Sequence, residues 1–316
     1  MKTLLIAATV AAVSCGLFAD EAKESESAKG SDEAKLEEKD DSFPLEAGFD
    51  ADIFTAYVWR NAVQSDRPIA QPCVWADWTF IDPYYVGFSV WQNYDLTNRR
   101  RHMGYRGEWN ETDYNVHIGT DLWSSDENED TKVTFEFGHD WYTYNLHGTW
   151  GEEDGGYRKR KDFPTTYELY VKLEFANPIV TPYGQISHEY NRINGTHYEL
   201  GLKKEETLSD IFDSENELLS QLTLGGDVNV NFGSAKYLTY LYDGDSEDHD
   251  SVGNGIGGLT AKLSLTWAPC DHFSIGGLLA FTSILNDNAR DEFDKMDTCC
   301  DATDLVWGGF QAKLSF

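Results

Sequence analysis

The feature that most limits the fold of this chain is an alternation of apolar and polar residues with a period of two. In the last segment, 305–316, one face of an extended strand would carry Val306, Gly308, Phe310, Ala312, Leu314 and Phe316, and the other Gln311, Lys313 and Ser315. Successive side chains of a β-strand point to opposite faces, so this pattern indicates a strand with one apolar and one polar face. The alternation recurs in segments such as 167–175, 222–232 and 259–267. The chain is therefore predicted to be all-β.

Strands of about ten residues with one apolar and one charged face suit a transmembrane antiparallel up-and-down β-barrel, with lipid outside and water inside. The same alternation also suits a soluble β-sandwich, whose polar face would lie outside. We predict about fourteen strands, within a range of 12–16. They are 47–60, 71–81, 84–94, 102–110, 113–123, 131–138, 141–150, 165–176, 179–191, 196–203, 220–232, 256–267, 270–285 and 303–316.

The predicted connections alternate in length along the chain. Short joints are predicted at Asp82-Pro83, Glu111-Thr112, 138–140, Asn177-Pro178 and 269–271. Longer ones are predicted at 61–70, 95–101, 124–130, 151–164, 192–195, 233–255 and 286–302. Tight periplasmic turns and longer outer loops are typical of outer-membrane barrels, and an even strand count places both ends of the barrel on the periplasmic side.

One predicted joint on the short side breaks this rule. Segment 204–219 is long, and Leu208, Ile211, Phe212 and Leu218 have helical spacing in it. Apolar residues at such intervals lie on one face of a helix. The segment is interpreted as a small periplasmic helix, or as a sign that the strand count is wrong by two.

The N-terminus has the layout of a secretory signal peptide. Met1 and Lys2 form a positive start, and 4–13 is an apolar run too short to span a bilayer. We predict cleavage after Ala19; a lipoprotein modified at Cys15 is the alternative. The predicted domains are a signal peptide at 1–19, a disordered acidic periplasmic linker at 20–43 and the outer-membrane barrel at 44–316.

The C-terminus resembles that of bacterial outer-membrane β-barrel proteins, which end in an aromatic residue on an alternating strand. In those proteins the terminal Phe belongs to the signal that the barrel-assembly machinery reads. The resemblance implies that Phe310, Leu314 and Phe316 form an assembly signal. It also implies that the protein lies in the bacterial outer membrane.

A second resemblance rests on four segments, which are 54–60, 65–72, 90–96 and 232–237. They are similar to a poorly characterised family of bacterial outer-membrane porin-like proteins. The family pattern is Tyr-x-Trp-Arg-Gly followed by Asp-x-Pro-x-x-Gln-Pro, and Asn61 stands here in the place of its Gly. The resemblance implies a porin-like barrel surrounded by outer-membrane lipid, and it specifies no solute.

The charge of the chain limits its partners. There are 55 Asp and Glu against 25 Lys and Arg, and the net charge is −30. A nucleic-acid-binding protein should carry a basic surface, so nucleic acid is not a predicted partner. The basic runs 99–101 and 158–161 fall in predicted outer loops, where lipopolysaccharide phosphates are a natural counter-charge. Two other interpretations of these basic runs remain open: one of the loops folds inward and forms the constriction of the pore, or the charges are simply solvated.

The polar face of each predicted strand is taken as the lumen. The predicted lumen-lining residues are Asp50, Asp52, Arg60, Asp77, Arg106, Glu108, His117, Asp121, Lys132, Glu136, Glu168, Lys172, Glu174, Glu189, Glu199, Lys203, Asp227, Lys262 and Lys313. Acids outnumber bases in this set, and carboxylates along a pore favour cations. The alternative is that these groups pair across the lumen and form a closed, salt-bridged plug.

The sequence contains no convincing catalytic or metal-binding constellation. His117 and Asp121 share a predicted strand face, and His147 and Ser187 should also point inward, but no spacing joins a nucleophile, a base and an orienting acid. The acidic run 243–250 lacks the Gly and final Glu of an EF-hand loop, so it is interpreted as a solvated outer loop. We therefore predict no enzymatic activity, no metal and no cofactor.

The cysteines give a further expectation about topology. Cys73 and the adjacent Cys299 and Cys300 are predicted near the outer rim, and Cys270 at the periplasmic rim about 25 Å away. A disulfide requires Cα atoms within about 7 Å. Any bond among these residues should therefore join Cys73 to Cys299 or Cys300, and should leave Cys270 out.

Together these observations predict an outer-membrane porin-like channel through which small hydrophilic solutes diffuse, with a mild preference for cations. Two alternatives remain open at this point. One is a non-conducting outer-membrane surface or binding barrel, and the other is a soluble secreted carbohydrate-binding β-sandwich. Bilayer conductance distinguishes the first two, and membrane fractionation distinguishes both from the third.

Overall fold

The computed structural model describes residues 44–96, 109–125, 131–144, 149–153, 156–159, 165–243, 251–295 and 303–316. The predicted signal peptide and linker lie outside these described residues. So do the candidate lumen residues Arg106 and Glu108, the candidate His147, and Cys299 and Cys300.

The described residues form sixteen strands and four short helices. The strands are β1 (Leu45–Phe54), β2 (Tyr57–Trp59), β3 (Ala62–Ser65), β4 (Ile69–Ile81), β5 (Tyr84–Asp95), β6 (Trp109–Ser124), β7 (Lys132–Tyr144), β8 (Thr149–Glu153), β9 (Gly156–Lys159), β10 (Thr166–Ala176), β11 (Thr181–Glu189), β12 (Gly195–Thr207), β13 (Leu222–Gly233), β14 (Gly255–Cys270), β15 (Phe273–Ile284) and β16 (Asp304–Ser315). The helices are α1 (Leu208–Phe212), α2 (Glu217–Ser220), α3 (Ala235–Asp243) and α4 (Asp287–Lys295).

Twelve strands close into one antiparallel barrel, in the order β1-β16-β15-β14-β13-β12-β11-β10-β7-β6-β5-β4. Strand β1 completes the barrel because it pairs with both β16 and β4, so that Phe49 lies opposite Leu314 and also opposite Val74. The hairpins β2–β3 and β8–β9 are separate two-stranded sheets. The rim that carries Pro44 and Phe316 is called the terminal rim, and the opposite one the loop rim.

The outer face of the barrel is apolar. Val306 and Phe310 on β16 are 66% and 70% exposed, and Leu263 and Leu279 on the next strands are exposed as well. Polar side chains of the same strands, such as Lys262, lie on the inward face, which is the reverse of the usual arrangement in a soluble protein. The β-sandwich alternative is wrong, because a single sheet closes around the polar face. Within the described ranges, no helix is long and apolar enough to cross a membrane.

The barrel has twelve strands rather than the predicted fourteen. The predicted turn at Glu111-Thr112 lies inside β6, where both residues are buried and pair with Tyr144 and Thr143 of β7. The predicted turn at 138–140 lies inside β7, which runs without interruption to Tyr144. Of the predicted strands 102–110 and 141–150, residues 109–110 therefore belong to β6, 141–144 to β7 and 149–150 to β8, and the rest lie outside the described residues.

Both errors have one physical cause, since lumen-facing strand residues and turn residues have similar polar character. Gly138, which the sequence predicts in a turn, is instead a close-packing position: a Cβ there would collide with the Tyr170 ring. His139 interrupts the apolar outer face, and its Nε2 atom lies 2.7 Å from the Tyr190 hydroxyl. Because these two turns do not exist, β6 ends and β7 begins at the terminal rim. The predicted long loop 124–130 therefore connects two strands at the terminal rim and not at the loop rim.

Other predicted connections are confirmed. The short joints at Asp82-Pro83, Asn177-Pro178 and 269–271 lie at or beside the ends of barrel strands. The predicted helical exception is also confirmed, because α1 and α2 lie between β12 and β13.

The buried hydrophobic core lies inside the loop-rim end of the barrel. It joins the hairpin β2–β3, the helices α3 and α4 and the end of β15 through Ala62, Val63, Tyr237, Leu238, Leu241, Tyr242, Val252, Ile284 and Ala289. A second cluster beside it contains Phe54, Ala56, Ile69, Ala280 and Trp307. The loop-rim connections therefore fold into the barrel and fill its mouth from within.

The cysteine expectation is wrong about the bonding and about the position of Cys73, whereas Cys270 lies at the expected end of the barrel. Cys73 is a free thiol on β4 within the wall, where it lies opposite Asp50 of β1 and Trp91 of β5 in the strand register. Its position in the wall, rather than at the rim, separates it from the loops. Cys270, at the terminal-rim end of β14, is disulfide-bonded.

Candidate functional site

The two ends of the lumen differ in their exposure. Toward the loop rim the inward polar side chains are fully buried, among them Asn93, Ser187 and Asn231. Toward the terminal rim, inward charged side chains such as Asp77 and Lys262 remain partly exposed. We call the hairpin β2–β3 and the helix α3 the plug. The partly exposed charged region below it, which contains Asp50, Asp77, Glu136, Glu174 and Asp227, is called the vestibule.

Arg60 lies at the tip of the hairpin β2–β3 and reaches Glu168 on β10. Its Nη1 donates a 2.7 Å hydrogen bond to Oε2 of Glu168, and its Nη2 donates to Oε1 of the same carboxylate. The Arg60 guanidinium also donates to the hydroxyls of Tyr142 and Tyr237, and lies 4.6 Å above the Trp59 ring. A guanidinium that binds a carboxylate through two parallel hydrogen bonds is a strong and directional ion pair. We call this Arg60–Glu168 pair the clasp.

Burial makes the two charges of the clasp depend on each other. The side chains of Arg60 and Glu168 are 9% and 1% exposed. Burial alone would lower the pKa of Arg60, but the negative charge of Glu168 raises that pKa well above its ordinary value, so the guanidinium remains cationic. Removal of either partner would leave the other charge buried and uncompensated.

A tight turn presents Arg60 to the lumen. Arg60 and Asn61 have φ values of 51° and 63°, in the left-handed region. Two successive residues with positive φ are typical of the turns in two-residue hairpin loops, and Asn tolerates that conformation better than most residues do. The Asn61 side chain also donates a 3.0 Å hydrogen bond to the Gly258 carbonyl on β14. These properties explain why an Asn is compatible with the left-handed conformation at position 61.

Further hydrogen bonds attach the hairpin to other walls of the barrel. The Tyr57 hydroxyl donates to Glu111 on β6 at 2.8 Å, and the Tyr57 ring packs 5.8 Å from the ring of Trp91 on β5. On β13, the Asn231 side-chain nitrogen donates to the Arg60 carbonyl. The hairpin is thus held at several points around the lumen, and the clasp is its charged attachment.

A chain of polar contacts connects the vestibule to the clasp. Asp77 Oδ1 lies 3.2 Å from His117 Nε2, and His117 Nδ1 lies 2.7 Å from Asn115 Oδ1. The Asn115 amide then donates to Asp140 at 2.7 Å. Tyr142, which contacts the clasp, donates to the other oxygen of Asp140 at 3.4 Å. Such a continuous network fixes the orientation of each member.

Lysines neutralise some of the vestibule acids. Lys203 and Lys172 lie 2.6 and 3.3 Å from the two carboxylate oxygens of Glu174. Lys262 lies 3.4 Å from Asp227.

Other acids are bound by neutral donors or lie nearer the terminal rim. Glu136 accepts hydrogen bonds from the hydroxyls of Tyr170 at 2.7 Å and Tyr85 at 3.4 Å. Asp121 pairs with Lys132 at 3.2 Å. A hydroxyl donates a hydrogen bond without supplying a positive charge, so Glu136 has no basic partner among the described residues and the vestibule has an acidic character.

Inward aromatic rings pack over glycines of neighbouring strands. Tyr85 lies across Gly119, and Tyr183 lies across Gly201, so closely that a Cβ at either glycine would collide with the ring. The Tyr183 hydroxyl donates to Asp227 at 3.1 Å. The absent glycine side chain lets each ring lie against the wall while its hydroxyl reaches a vestibule acid.

The structure places most candidate lumen residues on the inward face. On the wall these are Asp50, Asp52, Asp77, His117, Asp121, Lys132, Glu136, Glu168, Lys172, Glu174, Glu189, Glu199, Lys203, Asp227, Lys262 and Lys313. Arg60 is not a wall residue, because the hairpin carries it into the lumen. Glu189 is a turn-stabilising residue, since its carboxylate accepts the backbone N–H groups of Asn191, Arg192 and Asn194.

The remaining candidates lie apart from one another. Phe310 and Phe316 are exposed on the outer face. His117 and Asp121 do not form a pair: His117 contacts Asp77, whereas Asp121 accepts from Lys132 and from Thr134. Ser187 accepts a hydrogen bond from Gln185.

Among the inward acids that are absent from the predicted lumen set are Glu111, Asp113 and Asp140. Glu111 and Asp140 fell in turns that do not exist, and Asp113 was treated as the start of a strand. The signal that could have found them is the phase of the alternation. On β6, Tyr114 and Val116 face outward, so Glu111 and Asp113 must face inward. On β7, Phe137 faces outward, so Asp140 must face inward.

Several solved outer-membrane barrels have a similar shape. An outer-membrane channel from Pseudomonas putida F1 has a TM-score of 0.46 at 6% identity, over 90% of this chain and 100% of that one. The outer-membrane phospholipase A of Escherichia coli has a TM-score of 0.41 at 11% identity, over 85% and 95% of the two chains. OccK10 from Pseudomonas aeruginosa has a TM-score of 0.37 at 9% identity, over 86% and 70%. No family model and no curated protein matches this chain. Likenesses this distant carry no information about a solute or a reaction.

Proposed function

We propose that this protein is a porin-like barrel of the bacterial outer membrane, through which small hydrophilic solutes diffuse with a mild preference for cations. The observation that carries this proposal is the closed sheet with an apolar outer face and a polar, acidic lumen. A closed barrel leaves no unpaired strand edge, so all its backbone groups can be satisfied within a bilayer. The terminal rim would face the periplasm, and lipopolysaccharide would surround the loop rim.

The acidic vestibule supports the preference for cations. Its lysines pair with Glu174 and Asp227, while Glu136 is bound by hydroxyls and Asp50 and Asp52 lie together on β1. Carboxylates along a narrow aqueous path attract cations and repel anions. Salt screens such charges, since the Debye length falls from about 10 Å at 0.1 M to about 3 Å at 1 M.

The plug supports the proposal that passage is restricted at the loop rim. It occupies the lumen there, and the clasp is its charged link to the wall. Conduction would then depend on displacement of the hairpin β2–β3, and the wild-type protein would conduct less than an unplugged barrel of twelve strands.

The same plug favours a second candidate function, a non-conducting surface or binding barrel. Tyr237, Leu238 and Ile284 are fully buried in the plug region. A core packed in this way can stay closed permanently, and the barrel would then serve only as a scaffold for its outer loops.

Reversal potentials in planar bilayers test the proposal. Under a salt gradient the wild type should show a potential of cation-selective sign, which decreases as total salt is raised. The double variant Asp50→Asn/Asp52→Asn should shift that potential toward zero. Asp213→Asn, on the exposed turn at the terminal rim, is the matched control and should leave it unchanged.

Each other result has a distinct meaning. Anion selectivity would contradict the role of the vestibule acids and assign control to the basic loops. If neither the wild type nor a variant with a broken clasp conducts, the channel proposal is contradicted and the scaffold function remains.

A further inference from the structure

The connection between β12 and β13 is longer than the barrel requires. At the same rim, β4 joins β5 through Asp82-Pro83, and β14 joins β15 through 271–272. Residues 208–221 instead form the helices α1 and α2. A pair of neighbouring antiparallel strands needs only a short turn, so this segment has a role other than closing the hairpin.

The two helices are well-formed. The Thr207 side chain accepts from the Asp210 backbone N–H at 3.3 Å and caps α1, and the Asn216 side chain accepts from the Leu218 N–H at 2.9 Å and caps α2. Between them, Asp213 adopts a left-handed φ of 48°, which ends α1. The orientation of their side chains is therefore set by a defined backbone.

These helices expose a group of large apolar side chains. Ile211, Phe212 and Leu218 are 41%, 65% and 57% exposed, and neither helix contains a buried residue. In α1 the spacing of Leu208, Ile211 and Phe212 places all three on one face. Apolar groups of this size at a surface are typical of a contact with a protein or a membrane.

The position of the helices favours the membrane. Directly after α2, Gln221 accepts a 3.0 Å hydrogen bond from the indole of Trp267, an exposed residue on the outer face of β14. Tryptophans at such positions mark the boundary between lipid tails and headgroups. Leu222 follows and pairs with Trp267 in the sheet. The chain thus passes directly from α2 into a strand at the apolar outer face of the barrel.

We infer that α1 and α2 form an in-plane anchor, whose apolar residues Ile211, Phe212 and Leu218 enter the acyl-chain boundary of the periplasmic leaflet. This inference rests on the proposed outer-membrane location. Its ligand is phospholipid, bound through apolar burial. The charged side chains of the segment are acids, such as Asp210, Glu215 and Glu217, so attraction to anionic headgroups does not contribute.

Photocrosslinking tests the anchor in the intact protein. Phe212→benzoylphenylalanine places a group that inserts into nearby C–H bonds, in vesicles of phosphatidylcholine or of phosphatidylcholine with phosphatidylglycerol. Glu215→benzoylphenylalanine is the control in the same segment, and Leu279→benzoylphenylalanine is the control on the outer face of the barrel. Mass spectrometry measures the lipid adducts. Phe212 and Glu215 are both exposed, so neither replacement disturbs packing.

Position 212 should give several-fold more lipid adduct than position 215, because both positions carry the same photoreactive group and only position 212 lies on the face that is inferred to enter the acyl chains. The yield should be the same in both vesicle types. Adducts at 279 but not at 212, or a crosslink from 212 to protein, would overturn the anchor and leave the barrel in the membrane. No lipid adduct at 279 would instead contradict the proposed location.

Discussion

Breaking the clasp should release the plug without unfolding the barrel. Arg60→Ala leaves Glu168, 1% exposed, with no cation to balance it. Removal of one partner of a buried ion pair typically costs about 3–5 kcal/mol. The cost falls on the hairpin β2–β3, because the twelve-stranded ladder that carries Glu168 remains intact. At about 1.4 kcal/mol per factor of ten, the released hairpin should become more populated by a factor of roughly a hundred to a few thousand.

Two assays should report this change together. Hydrogen exchange followed by mass spectrometry should show faster exchange in a peptide covering 57–65 and unchanged exchange in one covering 273–284, since local opening exposes only the amides of the released segment. Single-channel recordings should show larger or more frequent openings of Arg60→Ala than of the wild type.

An apolar replacement of the whole clasp provides the matched control. Well-packed apolar residues can replace a buried ion pair with little loss of stability. Arg60→Met/Glu168→Leu should therefore protect the hairpin better than Arg60→Ala does. Together with the single changes Arg60→Met and Glu168→Leu it forms a double-mutant cycle, which measures the coupling between the two residues. The reasoning is refuted if Arg60→Ala exchanges and conducts like the wild type, or if the effects of the two single changes simply add.

Three further outcomes are expected. Tyr57→Phe should open the hairpin less than Arg60→Ala does in the same exchange assay, because a buried acceptor left without its donor costs about 1–3 kcal/mol; equal effects of the two changes would contradict the clasp as the main attachment. Gly201→Ala should lower the free energy of unfolding by about 1–3 kcal/mol, because the new methyl group meets the Tyr183 ring, whereas Gly226→Ala has open space and should have little effect. Deletion of Phe316 should reduce the amount of protein in the outer membrane, measured against the wild type in fractionated cells, and normal levels would argue against an assembly signal there.

The alternation of side chains made much of the wall predictable. Phe310 and Phe316 were assigned to the apolar face of the last strand, and both are exposed on the outside of the barrel. The tight turn at Asp82-Pro83 was also recognised, since proline and aspartate are typical turn residues. Local chemistry was sufficient in both cases, because strand pairing preserves the face on which each side chain lies.

The plug could not be predicted in the same way. Arg60 and Glu168 are 108 residues apart, and nothing near either residue indicates that they meet. The hairpin β2–β3 was interpreted as the end of a wall strand followed by a loop, because Tyr57 and Trp59 continue the alternation of β1. The left-handed conformation of Arg60 and Asn61, which turns the chain into the lumen, depends on contacts with distant strands such as that with Gly258.

The arrangement of lipid outside and water inside is tested most directly by cysteine accessibility along β14. In a Cys73→Ser background, cysteines are introduced at Leu263, Ser264 and Leu265, with the labelling of the parent protein subtracted. In lipid vesicles a charged, membrane-impermeant thiol reagent should label position 264 and spare 263 and 265, because Leu263 and Leu265 are exposed on the outer face and Ser264 points inward. Labelling of 263 and 265 by that reagent, with 264 protected, would contradict the account.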